Sequence, residues 1–271
     1  MNFSVLMSIY HKEKPDNFNR AMLSIWDEQT VKPSEIILVE DGSLSLKLNE
    51  IILFWIKKLN GKLKIVKLKE NVGLGQALNI GLSHCHNELV ARMDTDDISS
   101  PYRFEKQLNV FKTKNVDICS AWVSEFDKDE KKITSERKIP ENHKDIIDFS
   151  KKRCPINHPV VMYKKSIIQN GDSYKHMLWF EDYYLWARMI QKGAVFYNIQ
   201  ETLLSMRAGE GQLMRRQGIT YGIAEYKFLY ALWDMEFLNS YEFIRNIVTR
   251  FTIRLLPKNF LKHVYAIFLR S

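Results

Sequence analysis

The sequence has few cysteines, and those it has form no pattern. Cys85, Cys119 and Cys154 are the three cysteines of the 271-residue chain, and they lie far apart. Their number and spacing fit neither a disulfide framework nor a cysteine-based zinc site. The cysteines therefore exclude a disulfide-stabilised class of protein and favour a reducing, cytosolic location.

Long apolar runs are also absent. No apolar stretch approaches the ~18 residues of a membrane-spanning helix, and no apolar N-terminal segment follows a basic stretch. With 45% hydrophobic residues and six tryptophans, the chain can still bury one large core, or one core and a smaller lobe. We expect a folded protein that is soluble or peripheral to a membrane.

Acidic residues are fewer than basic ones. The chain has 32 aspartates and glutamates against 40 lysines and arginines, which gives a formal net charge of +8. This charge favours an anionic partner, which is nucleic acid, phospholipid or a phosphorylated substrate, and does not by itself choose among them.

The excess of basic residues is largest at the C-terminus. Residues 241–271 contain six lysines or arginines and one acid, Glu242, with apolar residues near helical spacing between them. The pattern is typical of a basic helix on an anionic membrane. A helix that packs on the protein and presents a solvated basic face fits it as well. No recognised nucleic-acid motif is present, so we expect no nucleic-acid partner.

Strand-like and helical segments alternate in the first part of the chain. Strands are predicted at residues 3–10, 35–41, 63–68 and 88–93, with helical stretches between them. This alternation predicts βαβ units and a Rossmann-like, mostly parallel central sheet flanked by helices. In such a sheet, ligands bind in the crevice outside the carboxyl ends of the strands.

An acidic cluster follows the fourth predicted strand. Asp94, Asp96 and Asp97 come directly after the apolar segment that ends at Met93. Neighbouring carboxylates raise one another's pKa, and a hard divalent cation with oxygen ligands removes this penalty. The cluster therefore predicts a metal site that also holds phosphate. The alternative is a surface turn that caps a helix beginning near Tyr102.

Other segments fall at the same predicted edge. The second strand ends in an acidic turn before Gly42, and a glycine-containing turn then leads into a helix. Glycines permit close backbone approach, and a helix N-terminus offers free N–H groups to phosphate, although both segments could be ordinary loops. The candidates for nucleotide contacts are Tyr10, Glu40, Asp41, Asn71, Gly73, Asn79 and Asp94.

A second acidic pair opens a predicted helix later in the chain. Glu181 and Asp182 lie in the first turn of this helix. Acids at this position can simply complement the helix dipole. In a chain that also has a metal crevice, they are candidates for the catalytic base.

Candidates for contacts with an acceptor lie in the same half. Arg207 and Arg215 suit a diphosphate because the guanidinium group binds phosphate through two parallel hydrogen bonds. His158 and Trp179 could contact an acceptor sugar or its phosphate, and burial in the core is the alternative for both.

Taken together, these segments resemble a bacterial family 2 glycosyltransferase of the GT-A fold over roughly residues 1–235. The order carries the resemblance: a first strand ending in Tyr, an Asp-Gly-Ser turn, an Asn-x-Gly loop, an Asp-x-Asp-Asp motif and a Glu-Asp helix. The segment Met-Arg-Ala-Gly-Glu-Gly, followed by Arg215-Arg216, is similar to O-antigen and capsule transferases. Those transferases add galactose or glucose in β-1,3 linkage to an N-acetylhexosamine on undecaprenyl diphosphate.

The resemblance implies roles for matching residues. It implies that Asp41 contacts uracil, that Asp94 contacts the nucleotide and the metal, and that Asp96 is the main ligand of Mn²⁺ or Mg²⁺. It further implies that Asp182, with Glu181 beside it, is the general base. At Ser8, His11 and Glu40 this sequence departs from the usual motifs of the family. The Gln-x-x-Arg-Trp signature of processive enzymes is absent, which indicates addition of a single sugar.

The expected organisation is one catalytic domain with an extension. Residues 1–236 form the catalytic domain, with a nucleotide-binding half at 1–97 and an acceptor-binding half at 98–236. Residues 237–271 form a basic amphipathic helical extension, which would hold the enzyme on the cytoplasmic face of the inner membrane. The competing interpretations are a nucleotidyltransferase and a non-catalytic module that binds a membrane surface or nucleic acid.

Overall fold

A computed structural model describes residues 1–208 and 218–255 of the chain, with side chains as far as residue 250. Its strands are β1 Phe3–Ile9, β2 Glu35–Glu40, β3 Leu63–Lys67, β4 Leu89–Arg92, β5 Ile98–Ser99, β6 Ile118–Phe126, β7 Ile133–Arg137, β8 Met162–Lys164 and β9 Phe196–Arg207. Its helices are α1 Pro15–Ile25, α2 Leu46–Leu59, α3 Leu74–His84, α4 Arg103–Thr113, α5 His143–Ser150, α6 Lys165–Asn170, α7 Glu181–Gln191, α8 Ile219–Asp234 and α9 Ser240–Leu255. The four strands predicted before the acidic cluster are all present, within one residue at each end.

The strands of the described residues form one sheet in the order β3-β2-β1-β4-β8-β6-β9-β5, with β7 paired to β6. Strands β1 to β4 are parallel. Strand β8 then runs antiparallel to both β4 and β6, while β9 is parallel to β6. The predicted α/β class is confirmed. The parallel arrangement that we predicted holds for β1–β4 and for β6 with β9, whereas the other four of the eight pairings among the described strands are antiparallel.

Both faces of β1, β2 and β4 are buried, as expected for a sheet covered by helices. Along β1, Val5 and Met7 enter one core, which α1, α2 and α4 cover, and Leu6 enters the other, which α3, α6 and α7 cover. The near-continuous apolar sequence of the strands follows from this double burial. The three cysteines are free thiols, in agreement with the predicted absence of a disulfide framework.

Helices α8 and α9 pack beside α7 around a third core, which includes Phe180, Phe228 and Leu232. Buried Glu225 of α8 pairs with Arg250 of α9 at 3.1 Å. The first part of the predicted extension is therefore a helix held against the body of the protein. None of the described helices is both long enough and apolar enough to cross a bilayer.

The register of the parallel strands brings the carboxyl ends of β1, β2 and β4 to one edge of the sheet. Ile9 at the end of β1 is paired with Glu40 at the end of β2, and Leu6 is paired with Arg92 at the end of β4. The loops after β1, β2 and β4 therefore leave the sheet together. This edge is the crevice predicted from the alternation of strands and helices.

Candidate active site

The first aspartate after β4 is bound by the last residue of that strand. Arg92 is fully buried, and its Nη1 donates to Asp94 Oδ2 at 2.6 Å, while its Nη2 donates to Asp94 Oδ1. The backbone carbonyl of Arg92 in turn accepts a hydrogen bond from Arg103 at 2.6 Å. Burial and the neighbouring Arg92 charge lower the pKa of Arg103 to about 9. A pair of buried arginines therefore lies behind the acidic motif and fixes the orientation of Asp94.

The second aspartate of the motif, Asp96, is in a different electrostatic state. Burial, and then the charges of Asp94 and Glu13, raise the pKa of Asp96 to about 7. A raised carboxylate pKa means that the surrounding protein does not fully stabilise the ionised form. A cation that arrives at this edge would therefore stabilise the ionised form of Asp96.

Glu13, in the loop between β1 and α1, is a site residue that the sequence did not reveal. Its Oε2 accepts a hydrogen bond from the Thr95 hydroxyl at 2.6 Å, and its charge contributes to the raised pKa of Asp96. Glu13 thus adds another carboxylate to the predicted acidic cluster. It stands in a loop of mixed charge, and no spacing signal connects it to a motif more than eighty residues away.

The third aspartate joins the motif to the end of β9. Asp97 is fully buried, and its Oδ1 accepts the backbone N–H of Arg207 at 2.9 Å. Burial raises the pKa of Asp97 well above its usual value. Arg207 Nε donates to the Asp96 carbonyl at 3.3 Å, and its guanidinium lies 4.6 Å from the centre of the Phe126 ring. The predicted phosphate-binding arginine is therefore adjacent to the acidic motif.

The nucleotide-binding candidates of β1, β2 and the following loops also meet at this edge. The Asp41 carboxylate accepts the backbone N–H groups of Val72 and Gly73 at 2.7 and 3.2 Å. Asn71 donates to the Asp41 carbonyl at 3.3 Å. Asp41 therefore holds the 71–73 loop in place by accepting its backbone N–H groups.

The residues that follow or end β1 and β2 differ in how closely they are packed. A Cβ on Gly42, whose φ is +85°, would lie 3.0 Å from the Asn71 nitrogen, so the turn requires glycine. Glu40 is buried and pairs with Lys67 at 3.4 Å. Tyr10, just after β1, is exposed and makes an edge contact with His11, so its ring is accessible to a ligand.

Asn79 and His158 already have partners within the protein. Asn79 on α3 both donates to the Tyr174 carbonyl and accepts the Tyr174 N–H, each at 2.8 Å. His158 is buried and its Nε2 lies 2.8 Å from the Tyr174 hydroxyl, and burial lowers the pKa of His158 well below its usual value. These contacts hold the segment before α7, and contacts of either side chain with a ligand stay predictions.

The second acidic pair opens α7, as predicted. Glu181 packs against α3, since a Cβ on Gly75 would lie 3.6 Å from Glu181 Cγ. Burial raises the pKa of Glu181, and the charge of Asp182 adds to this effect. Asp182 Oδ1 accepts the N–H of Tyr183 at 2.7 Å. The pair is thus held at the start of the helix with its charges close together.

Trp179, two residues before this pair, has an unusual backbone. Its φ of +65° lies in the left-handed region, which is strained for a bulky side chain. Its half-exposed ring stacks on Tyr221 of α8, with ring centres 5.0 Å apart and planes 19° apart. The strain and the stack together present a flat aromatic surface beside Asp182.

Tyr174 connects the two acidic groups. Its hydroxyl is buried, and burial raises the pKa of Tyr174 well above its usual value, with Asp182 and Asp94 both adding to the rise and Arg92 opposing it. One hydroxyl is therefore within electrostatic reach of the acidic motif and of the α7 pair. Asp94 and Asp182 are thus both near Tyr174, whereas Arg215 lies outside the described residues.

The residues present fit a shared metal site. Among the described residues, no three or more His, Cys, Asp or Glu side chains are arranged to hold a metal ion by themselves. A divalent cation that completes its coordination with substrate phosphates and water needs only one or two protein carboxylates. Asp96, with its uncompensated charge, is suited to this arrangement, and Asp94 lies beside it with its charge paired to Arg92.

A helix-covered α/β sheet with an Asp-x-Asp motif at its carboxyl edge and a second acidic pair on a helix is the arrangement that the resemblance to GT-A glycosyltransferases implies. Among solved structures, S. aureus TarS 1-349 in complex with UDP-GlcNAc aligns with 92% of this chain and 72% of its own, at a TM-score of 0.66 and 15% identity. That likeness concerns the fold. The sequence profile described as glycosyl transferase family 2 matches residues 4–171, and the chain belongs to this family.

Full-length relatives support the same family. The UDP-Gal:alpha-D-GlcNAc-diphosphoundecaprenol beta-1,3-galactosyltransferase of Escherichia coli is 40% identical over 97% of this chain and 94% of its own length. The amylovoran biosynthesis glycosyltransferase AmsE of Erwinia amylovora is 37% identical over 97% of each chain. The chain is therefore a family 2 glycosyltransferase, and the resemblance stated from the motifs is confirmed.

Proposed function

We propose that the enzyme transfers galactose or glucose from UDP to an N-acetylhexosamine on a lipid diphosphate, as one step of O-antigen or capsule repeat-unit synthesis. One observation carries the proposal: Asp96 has a raised pKa at the sheet edge, and its neighbour Asp94 and Asp182 of α7 are both close enough to the buried Tyr174 to raise its pKa. Asp96 suits the donor diphosphate, and Asp182 suits the acceptor hydroxyl. The name of the E. coli relative supports this donor and acceptor.

Asp96, with Asp94 beside it, would hold Mn²⁺ or Mg²⁺ against the donor diphosphate. When bound, the ion stabilises the negative charge that develops on the leaving UDP. Arg207, whose guanidinium reaches the Asp96 carbonyl, would add a fixed positive charge next to the same diphosphate or to that of the acceptor. Asp97 holds this arginine through the backbone N–H.

Asp182 would remove the proton from the acceptor hydroxyl as that oxygen attacks the anomeric carbon. The neighbouring Glu181 has a raised pKa and would orient the hydroxyl by hydrogen bonding. Because the base and the leaving UDP lie on opposite faces of the sugar, the configuration inverts and an α-linked donor gives a β-linked product. The β-1,3 linkage itself rests on similarity to the relative.

The nucleotide would lie over the loops after β1 and β2. The accessible Tyr10 ring would stack near the base, and Asp41 with Glu40, Asn71 and Gly73 would form the uracil and ribose side of the crevice. Since Asp41 already accepts two backbone N–H groups, much of its contribution would come through the shape of the 71–73 loop.

The acceptor would approach from the side of α7 and α8. Trp179 would form the wall under the acceptor sugar, because it presents a stacked aromatic face beside Asp182. Asn79 and His158 would hold the segment that carries Trp179, through their bonds to Tyr174. With a lipid-linked acceptor, the enzyme would act at the cytoplasmic face of the inner membrane. Residues 1–97 would bind the donor, and residues 98–236 would bind the acceptor.

The decisive experiment is transfer of radiolabelled galactose or glucose from its UDP derivative, with Mn²⁺, to synthetic GlcNAc- or GalNAc-diphosphate-lipid. We expect one β-linked sugar per acceptor, and loss of transfer with EDTA or in Asp96→Asn. Asp145→Asn, an exposed first-turn aspartate of α5, is the matched control and should remain active. Formation of UTP and hexose 1-phosphate from the UDP-sugar when pyrophosphate is added would instead indicate a nucleotidyltransferase, and an α-linked product would refute the geometry.

A further inference from the structure

Helix α8 is apolar on two sides, and only one of them is covered by described residues. Its inner side, with Tyr221, Phe228 and Leu232, is buried in the third core. Its other side carries what we call the outer stripe: Ile219, Ile223, Tyr226, Tyr230 and Trp233, which are 38–84% exposed. The steps of four, three, four and three residues place them on one face of the helix. A helix with two apolar faces usually has a partner on each of them.

The aromatic rings of the outer stripe form a continuous surface with α9. The ring centres of Tyr226 and Tyr230 are 6.4 Å apart, and those of Tyr230 and Trp233 are 5.7 Å apart. The ring centre of Phe243 on α9 lies 6.4 Å from that of Tyr226 and 5.6 Å from that of Trp233. The surface continues on α9 with exposed apolar side chains at Tyr241, Ile244 and Val248. An exposed apolar surface of this extent on two adjacent helices indicates an interaction site.

The composition of this surface indicates what covers it. Tyrosine and tryptophan, which combine an apolar ring with a polar tip, are the side chains enriched at the level of lipid headgroups. Lys227 lies beside the outer stripe on α8, and residues 251–271, from the last residues of α9 onward, contain four basic residues and no acid. Acids occur at the α8–α9 turn, at Asp234, Glu236 and Glu242, so the positive charge is concentrated toward the far end of α9.

We propose that the outer stripe and the exposed face of α9 are the surface with which the enzyme docks on a bilayer rich in anionic phospholipid. The aromatic rings would enter the headgroup boundary, and Lys227 beside the outer stripe would meet the negative lipid charge. Unlike the sequence expectation, which gave this task to residues 237–271, the proposal places the apolar contact largely on α8.

The position of α8 ties this surface to the site, and this part rests on the proposed function. Tyr221, on the inner side of the same helix, stacks under Trp179 next to the acidic pair of α7. A bilayer in contact with the outer stripe would therefore lie close to the acceptor side of the crevice. A sugar linked through a diphosphate to a membrane lipid projects from the headgroup level, where this arrangement would receive it.

The test is binding of the full-length chain to sedimented vesicles of phosphatidylethanolamine and phosphatidylglycerol, in a ratio of about three to one, with no sugar substrate present. Replacing Ile223, Tyr226 and Tyr230 together by serine should weaken binding at least about tenfold. The matched control replaces Leu46, Leu53 and Phe54 of α2 by serine. These apolar residues are even more exposed than the three of the outer stripe, and this variant should bind as the unaltered protein does. Circular dichroism and thermal unfolding establish that both variants are folded.

Transfer to a short-chain, water-soluble acceptor separates docking from catalysis. The stripe variant should keep this activity and lose transfer to acceptor embedded in vesicles. If no acceptor is glycosylated but vesicle binding behaves as expected, the proposed function fails and the docking surface stands. Unchanged vesicle binding by the stripe variant, or loss of binding only on removal of residues 256–271, would overturn the proposal. So would a dimer that the stripe variant converts to monomer in ultracentrifugation, since a second copy would then cover this face.

Discussion

At the scale of single residues, the acidic motif is a set of carboxylates in unequal states. Arg92 neutralises Asp94 through two hydrogen bonds, whereas Asp96 has a pKa raised to about 7 by burial and by like charges. Coulomb repulsion between close carboxylates is strong in a half-buried site. Pairing one of them with a buried arginine lets the motif form, and leaves the other to attract a cation.

Replacing Arg92 by methionine should damage both the fold and donor binding. The change leaves Asp94 without its partner and removes a buried cation from behind three carboxylates. We expect a loss of about 2–4 kcal/mol in the free energy of unfolding, measured by urea titration. The KM for the UDP-sugar should rise more than kcat falls. In the double variant Arg92→Met/Asp94→Asn, part of the stability should return. If the two changes are simply additive, the ion pair does not contribute.

Replacing Asp182 by asparagine should remove catalysis and spare the donor. General-base assistance typically supplies ~10²–10⁴ in rate, so kcat should fall by about that factor. Calorimetric titration with UDP and Mn²⁺ should give nearly the same affinity as the unaltered enzyme. Glu181→Gln, one residue away, should cost clearly less in kcat. A loss of UDP affinity in Asp182→Asn would assign this residue to the donor site instead.

The sequence could identify some of these residues and not others. Asp96 and Asp182 were predicted because each stands in a short motif, and the motifs occur in a fixed order. Arg92 was missed although it carries a signal: a charged residue at the end of a strand that is otherwise wholly apolar. Glu13 and Tyr174 were missed because their contacts join segments about eighty or more residues apart, which no local pattern encodes.

At the scale of elements, the second half of the sheet decides how the site is assembled. Strand β9 pairs with β6 over most of its length and with the two-residue strand β5 near its end. These pairings bring Arg207 to Asp97. Strands β1, β2 and β4 could be recognised in the sequence because both of their faces are buried, which makes their segments largely apolar. Strand β5 could not be predicted, because two residues between an acidic turn and Pro101 carry no periodicity.

The amino edge of the sheet offers a stability test that leaves the site untouched. Although burial opposes it, hydrogen bonds from Lys64, Ser4 and His86 lower the pKa of Glu35 to about 2. The folded pKa is below the unfolded value, so this stabilisation is complete above pH ~4.5 and is lost as the pH falls toward ~2. Glu35→Gln should therefore lower the free energy of unfolding by about 1–3 kcal/mol at pH 7.

The measurement is urea unfolding of both proteins across this pH range. The difference between Glu35→Gln and the unaltered protein should shrink steadily below pH ~4.5. Glu50→Gln on the exposed side of α2 is the control and should show little difference at any pH. The kcat of folded Glu35→Gln should be unchanged, because β2 carries Glu35 at its opposite end from Asp41. A difference that does not depend on pH would contradict the ionised role of Glu35.

At the scale of the whole molecule, stability and function make opposite demands on the carboxyl edge. An acid whose folded pKa is raised destabilises the fold as the pH rises through the range between its unfolded and folded pKa values. Asp96 is such an acid. Without metal, Asp96→Asn should therefore unfold at a higher Tm than the unaltered protein at pH 8, and the gain should fade toward pH 5. A lower Tm at pH 8 would mean that Asp96 is already stabilised by the protein.

Addition of UDP and Mn²⁺ should make the Tm of the unaltered protein higher than that of Asp96→Asn. A ligand that binds only the folded state adds about 3 kcal/mol at a hundredfold excess over its Kd, which raises the Tm of a chain of this size by roughly 5–10 °C. We expect this rise for the unaltered protein with UDP and Mn²⁺ together, and little or none when EDTA replaces the metal. Asp96→Asn should lose the metal-dependent part, while Asp145→Asn keeps it. If UDP raises the Tm equally with EDTA, the diphosphate is held by Arg207 and its neighbours without a metal ion. Both measurements compare Asp96→Asn with the unaltered protein. The higher Tm of the variant without metal would report how far Asp96 destabilises the fold, and its smaller rise in Tm with UDP and Mn²⁺ would report the proposed role of Asp96 in donor binding.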